Sequence, residues 1–393
     1  MNIRPQRIAF MLLPTLDHFA HDLIAGLPSE AGPEVRAFHV RGMASLDEAC
    51  AWANDPDRDV IWFEFCWPPF PAMIAGYDFG GRRVVIRVHR IEAYGSPHAA
   101  TAPWHKIDDV IVVSTDMAAQ LRKVAPMLDA TTALHVVYNG VDVARFAGGE
   151  AAGFSRDAFR IGWCGLLNLR KNPNLALEIL HQLRRVDARW HMHLCAKDGE
   201  DIALDSFWHL RHRMGLDDAA VIDGTVSAGD MPAWHRRNAV LLSTSVHESF
   251  GYAIAEAASC GCDIAVLDHI GGEEFWPAER RFGTTSEAVR MILEARPGRW
   301  RDLVTARFSL AEQIARLREI LRPKVMDAAA IRVRVTDDLL AVMAGDCAGS
   351  IIRVDRRSND EMEAVEFMLD SLGYEQAGKC RNGILYQTRS VAQ

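Results

Sequence analysis

Short apolar runs alternate with stretches of helical spacing along most of the chain. In the first half, runs at 8–13, 35–40, 60–65, 84–88, 110–114 and 134–138 read as strands, and helical patterns fall at 18–25, 46–54 and 117–123. The second half repeats the scheme, with strands at 159–165, 190–195, 220–222 and 239–242 and helices at 173–186, 207–214, 231–238, 250–259 and 311–321. Strands separated by helices imply parallel sheets covered on both faces, with ligands at the carboxyl ends of the strands. The expected class is therefore α/β, with two Rossmann-like domains, 1–150 and 151–322. Pro323 marks a boundary. Beyond it, strands at 331–335 and 351–354, helices at 337–343 and 360–372, and a hairpin of 374–380 with 384–388 predict a small α/β unit, 323–393. Packing, recognition of a second ligand or oligomerisation is expected of it.

Composition narrows the function. A chain of 393 residues exceeds one compact core and fits two or three domains. A formal charge of −8 argues against nucleic acid as a partner, so an anionic ligand must be met by local cations and helix ends. The eight cysteines are scattered with no C-x-x-C pair, as expected of reduced core thiols in a cytoplasmic protein. The run at 8–13 is too short for a signal peptide, and no run reaches membrane-spanning length. Arg82, Arg83, Arg87 and Arg90 either flank the strand at 84–88 or form a patch for peripheral contact with the inner face of a membrane. Asp55-Pro56-Asp57 and Asp57-Arg58-Asp59 fall in a polar loop and read as charged turns. His191 with His193, and His209 with His212, lack the partners of a metal site, so no metal ligand is assigned.

The chemistry concentrates between Val246 and Glu274. A buried strand at 239–242 exits through 243–248 into a helix whose first turn holds Ser249, Phe250 and Gly251. Such a helix start offers free N–H groups and the positive end of a dipole to a phosphate. Glu248 and Glu256 stand eight residues apart, about 12 Å along a helix, too far to act on one atom. They suit the two ends of an elongated ligand with a charged middle, the form of a nucleotide-sugar, although carboxylates at this spacing are also common on solvated helices.

This strand-loop-helix-strand layout, with Gly271-Gly272 after it, resembles the E-x7-E donor motif of retaining glycosyltransferases with the GT-B fold, glycosyltransferase family 4 (glycosyl transferases group 1). Three first-half segments fit the same family in order and spacing: Ile86-Arg87-Val88-His89-Arg90, Ile111-Val112-Val113-Ser114, and Val137-Tyr138-Asn139-Gly140-Val141-Asp142. Gly165 to Lys171 resembles the family's "GRL…K" segment, with Lys171 on the lysine position but Leu166 where an arginine is expected. Arg170 compensates if its loop turns it inward. Asp17 and His18 occupy a loop that is usually glycine-rich, and Asp263 replaces a usual proline.

The resemblance implies two domains facing a cleft and metal-independent transfer, with retention, of a hexose from a nucleotide-sugar to an acceptor hydroxyl on a glycan, lipid or small molecule. No cofactor beyond the nucleotide-sugar co-substrate is implied. Lys171 and the helix start at Phe250-Gly251 would stabilise the departing diphosphate, Glu248 contact the donor sugar, Glu256 bind the ribose, and His89 lie at the reacting face. Ser249, Gly165, Arg170, Gly271 and Gly272 complete the expected donor side, and Asp17, His18 and Glu64 the acceptor side. An isolated histidine such as His89 is more often structural, and Glu64 reads equally as a surface carboxylate. A nucleotide-sugar isomerase or phosphorylase, or a non-catalytic sugar-nucleotide-binding subunit, stands as the alternative. A homo-oligomer is compatible with the sequence.

Overall fold

The computed structural model describes residues 4–14, 16, 20–29, 32–147, 155–199 and 201–323, with four further strands between 331 and 388. Strands β1 (Arg7–Leu12), β2 (Glu34–His39), β3 (Val60–Glu64), β4 (Arg83–Arg87), β5 (Asp109–Val112) and β6 (Ala133–Val136) form a parallel sheet in the order β2-β1-β3-β4-β5-β6. A second parallel sheet holds β7 (Asp157–Leu167), β8 (His191–Asp198), β9 (Ala220–Ile222), β10 (Asn238–Ser243), β11 (Asp263–Leu267) and β12 (Arg281–Phe282), in the order β12-β11-β10-β7-β8-β9.

The apolar runs become strands because helices cover both faces. In β3, Ile61 and Phe63 enter one packed layer while Val60 and Trp62 enter the opposite one, so the whole strand is buried. The direction of winding reverses between β1 and β3 and again between β7 and β10, and crevices at such points receive ligands in open α/β sheets.

The two halves are joined twice at one spot. Val141 N–H donates to Phe308 O and Leu310 N–H to Val141 O, both at 2.8 Å, which seats the first crossing against the second. Gly140 permits this approach, since a Cβ there would lie 2.5 Å from Leu310 Cα. The chain then returns to the first domain: Ile314, Leu317 and Leu321 of the Leu310–Leu321 helix pack with Ile8, Phe10 and Val137. The expected division at 322 groups this helix with the second domain, whereas its apolar face is buried on the first.

Past Pro323, strands Ile331–Val333, Ile352–Asp355, Tyr374–Cys380 and Gly383–Thr388 form a mixed four-stranded sheet, the last two as the expected antiparallel hairpin. The helices expected at 337–343 and 360–372 lie outside the described residues. No helix among the described residues is long and apolar enough to cross a membrane.

Candidate functional site

The carboxyl ends of both sheets open on a cleft of about 540 Å³. Its first-domain wall comes from the exits of β3 and β4, including Phe65, Trp67, His89 and Arg90. The second-domain wall comes from β7, β10 and the segments after them, including Arg170, Lys171, Glu248 and Gly251. Lys171 and Gly251 thus face the same space, as the sequence requires of a phosphate site.

Backbone contacts set the cationic corner. Asn172 adopts a left-handed conformation (φ 49°) and caps the Pro173–Val186 helix, while Asn168 Oδ1 accepts from Lys171 N–H at 2.9 Å. Thr244 Oγ1 donates to Lys171 O at 2.8 Å and accepts from Trp163 Nε1 at 3.0 Å, and Val246 N–H donates to Arg170 O at 2.9 Å. These bonds stitch the loop after β7 to the exit of β10. Gly165 is small for a local reason: a Cβ there would sit 2.9 Å from Lys171 Cδ.

Lys171 Nζ and Arg170 Nη1 both pair with Glu248 Oε1, the latter at 3.0 Å, and Arg170 also donates to His247 O at 3.2 Å. Burial raises the Glu248 pKa, but Lys171 and Arg170 outweigh it and leave the carboxyl at about 2. Arg170 therefore turns inward, while Leu166 is 40% exposed. Glu248 faces the crevice as a paired carboxylate between two cations.

Gly251 (φ 83°) caps the Tyr252–Ser259 helix with no side-chain hydrogen bond, which leaves first-turn N–H groups for an outside partner. Phe250 anchors this turn, 1% exposed, against Phe275 and Phe308 at ring distances of 5.5 and 5.4 Å. Ser249 lines the same cleft.

Opposite lies a buried network. Glu64 is 0% exposed: Oε1 meets Arg87 Nη2 at 2.7 Å and His89 Nε2 at 2.8 Å, and Oε2 accepts from Trp62 Nε1 at 2.9 Å. Burial pushes its pKa up, Arg87 and then His89 pull it down, and the net value is about 2. An ionised carboxylate only accepts, so His89 Nε2 donates to it. The imidazole stacks on Phe65 at 4.2 Å. Glu92, likewise buried, accepts from His89 N–H at 2.6 Å and Cys66 N–H at 3.1 Å, and burial raises its carboxyl to about 8. Glu64 is thus neither a surface carboxylate nor a cleft residue; buried in the apolar β3–β4 core, it is held by Arg87, His89 and Trp62, and it sits behind His89 and orients it.

The remaining expected residues divide. Glu256 lies outside the cleft lining, 3.6 Å from His235. Gly271 and Gly272 also miss the cleft. A Cβ at Gly271 would lie 3.2 Å from Asp116 Cβ, so this glycine serves the seam between domains, and Gly272 packs at the His269 ring. Asp17 and His18 lie outside the described residues. The four arginines form no common face: Arg83 pairs with buried Asp109, Arg87 is buried on Glu64, Arg82 binds Ala53 O and Phe79 O, and Arg90 enters the cleft. Among the described residues no disulfide forms, and no three His, Cys, Asp or Glu side chains converge as metal ligands. Sequence reasoning missed Arg90, Trp67 and Tyr252 as lining residues; for Arg90 the available signal was its place next to His89.

Residues 158–282 match the family model for glycosyl transferases group 1. Curated relatives include a D-inositol 3-phosphate glycosyltransferase of Xylanimonas cellulosilytica, 29% identical over 178 residues (42% of this chain, 41% of that one). A tRNA-queuosine alpha-mannosyltransferase of Drosophila melanogaster is 25% identical over 122 residues (31% and 32%). The matches span about a third to two fifths of these relatives' lengths. Among solved structures, Anabaena HepE in complex with UDP superposes with a TM-score of 0.62 at 15% identity, over 81% of this chain and 99% of that one. Sucrose-phosphate synthase from Thermosynechococcus elongatus gives 0.60 at 16%, over 80% and 99%. Residues 158–282 thus carry the sequence pattern of the glycosyl transferases of group 1, and the chain as a whole has the GT-B fold.

Proposed function

We propose that this protein transfers a glycosyl group from a nucleoside diphosphate sugar to an acceptor hydroxyl, with retention and without a divalent metal, as a family 4 enzyme would. The observation that carries the reading is the convergence of Lys171, Arg170 and Glu248 with the Gly251 helix start, across one cleft from His89. Fixed cations and helix N–H groups aimed at a leaving diphosphate stabilise charge that develops as the glycosidic bond breaks. Relatives of group 1 and a fold shared with a UDP complex support a nucleotide-sugar as donor.

Proton transfer then has a narrow choice. Glu248, held at about 2, is a weak base, and His89 donates through Nε2 to Glu64 while its side chain accepts from the Glu92 N–H in the capping box of its helix. The departing diphosphate oxygen is the stronger base at hand and takes the acceptor's proton, while His89 shapes the wall beside the sugar. Glu256 is assigned to the ribose end of an extended donor on the spacing of the motif alone, since it lies outside the cleft lining.

Thermal-shift screening against UDP-, GDP- and ADP-sugars tests this directly: at least one should raise the melting temperature by several degrees at saturating concentration. Product formed from that donor should keep its anomeric configuration by NMR and persist in excess EDTA. A panel in which no nucleotide-sugar stabilises the protein defeats the reading, and abolition by EDTA defeats its metal-free part.

A further inference from the structure

We propose that Arg90, contributed by the first domain, is a donor-binding residue that closes over the diphosphate from across the cleft and supplies the guanidinium lacking at Leu166. Arg90 is the first residue of the Arg90–Gly95 helix, directly after His89. The Glu92 carboxyl holds His89 N–H and Cys66 N–H, which fixes the backbone at this turn and sets the Arg90 side chain at the cleft wall. Across the gap, the Tyr94 ring packs on His247 at 4.6 Å, bringing this helix against the 246–248 loop that carries Glu248.

The charges favour an anion. Arg170 and Lys171 already share Glu248, whereas the half-buried Arg90 guanidinium makes no hydrogen bond or ion pair among the described residues. Burial and then Arg170 oppose its charged form, with Glu248 and Tyr94 in favour, so Arg90 stands within electrostatic reach of the other cations. Asp116, the next carboxylate along the seam, is engaged by the Tyr94 hydroxyl. Three cations against one carboxylate leave a surplus of two positive charges at the cleft. A diphosphate esterified at both ends carries two negative ones. A cation kept partly desolvated without a partner is costly unless a ligand supplies one. Because the other two cations sit on the second domain, such a ligand would bridge the two domains.

This inference rests on the donor reading above, and binding by calorimetry separates the two. UDP, GDP and ADP, with their monophosphates, are titrated into the wild type, Arg90→Gln, Arg90→Met and Arg90→Lys. The neutral variants should lose about ten- to hundredfold in affinity for the bound diphosphate. They should lose less for the monophosphate and show a shallower salt dependence, with ligand-free melting temperatures close to wild type. Arg90→Lys should recover most of the affinity. Neutral variants that bind the diphosphate as tightly as wild type, or Arg90→Lys as weak as Arg90→Gln, overturn the assignment while the donor reading stands. A wild type that binds none of the three diphosphates overturns both.

Discussion

Glu64 shows how a buried charge serves a site it does not touch. Its carboxylate is the partner of Arg87, 1% exposed, and the acceptor for His89. Replacing it by glutamine leaves a guanidinium buried without its counter-ion, which costs about 3–5 kcal/mol. The folded-state pKa of about 2 lies below the ordinary 4.5, so the carboxylate stabilises the fold fully above pH 4.5. That contribution is lost as pH falls towards 2. Glu64→Gln should therefore melt earlier at pH 7 and show a shallower acid decline between pH 4.5 and 2. Glu248, held down in the same range, keeps the decline from vanishing. Melting curves that fall in parallel for the two proteins across that window would contradict the role given to Glu64. The lysine, the inward arginine and the helix-start glycine of the site were legible in the sequence because they depend on local spacing. Glu64 and Arg90 were not, because their roles depend on which side of a strand exit is covered, and no local pattern encodes that.

At the scale of elements, nearly every apolar run became a strand where expected, since a run buried on both faces has few alternatives to a parallel sheet. The two-residue β12 was missed, being too short to show a pattern. The Leu310–Leu321 helix was foreseen as a helix and grouped with the second domain, while its apolar face packs on the first: its spacing reveals an apolar face, not what that face meets. The structure buries Leu317 completely among Ile8, Phe10 and Val137, some 180 to 310 residues earlier in the chain. Leu317→Ala should cost about 2–5 kcal/mol. Hydrogen exchange locates the loss: amides of β1 and β3 should exchange faster, and those of β10 and β11 should not. Acceleration confined to the second sheet would return the helix to the domain assigned from sequence.

For the whole molecule, the two domains are held on opposite sides of the cleft by contacts of unequal kind. The joint at Val141 and Ser309 is backbone pairing around a glycine that no side chain can replace, and it works as the fixed edge. The other edge is Glu274, whose carboxylate accepts from Thr115 N–H at 2.9 Å and Thr115 Oγ1 at 2.8 Å, at the start of the Thr115–Val124 helix. Charge at a helix N-terminus is favourable, yet these bonds are exposed, so the latch contributes about 1 kcal/mol and is reversible. A cleft with one permanent and one weak edge opens on the weak one. Glu274→Ala should then favour an open form, detected as a larger radius of gyration in ligand-free solution scattering. If a nucleoside diphosphate binds groups from both walls, it must first repay that lost closure, which lowers its affinity about fivefold and restores the compact radius at saturation. An unchanged radius together with unchanged affinity would mean that Glu274 only decorates the seam, and that the walls are held at their spacing by the Tyr94 and His247 packing instead.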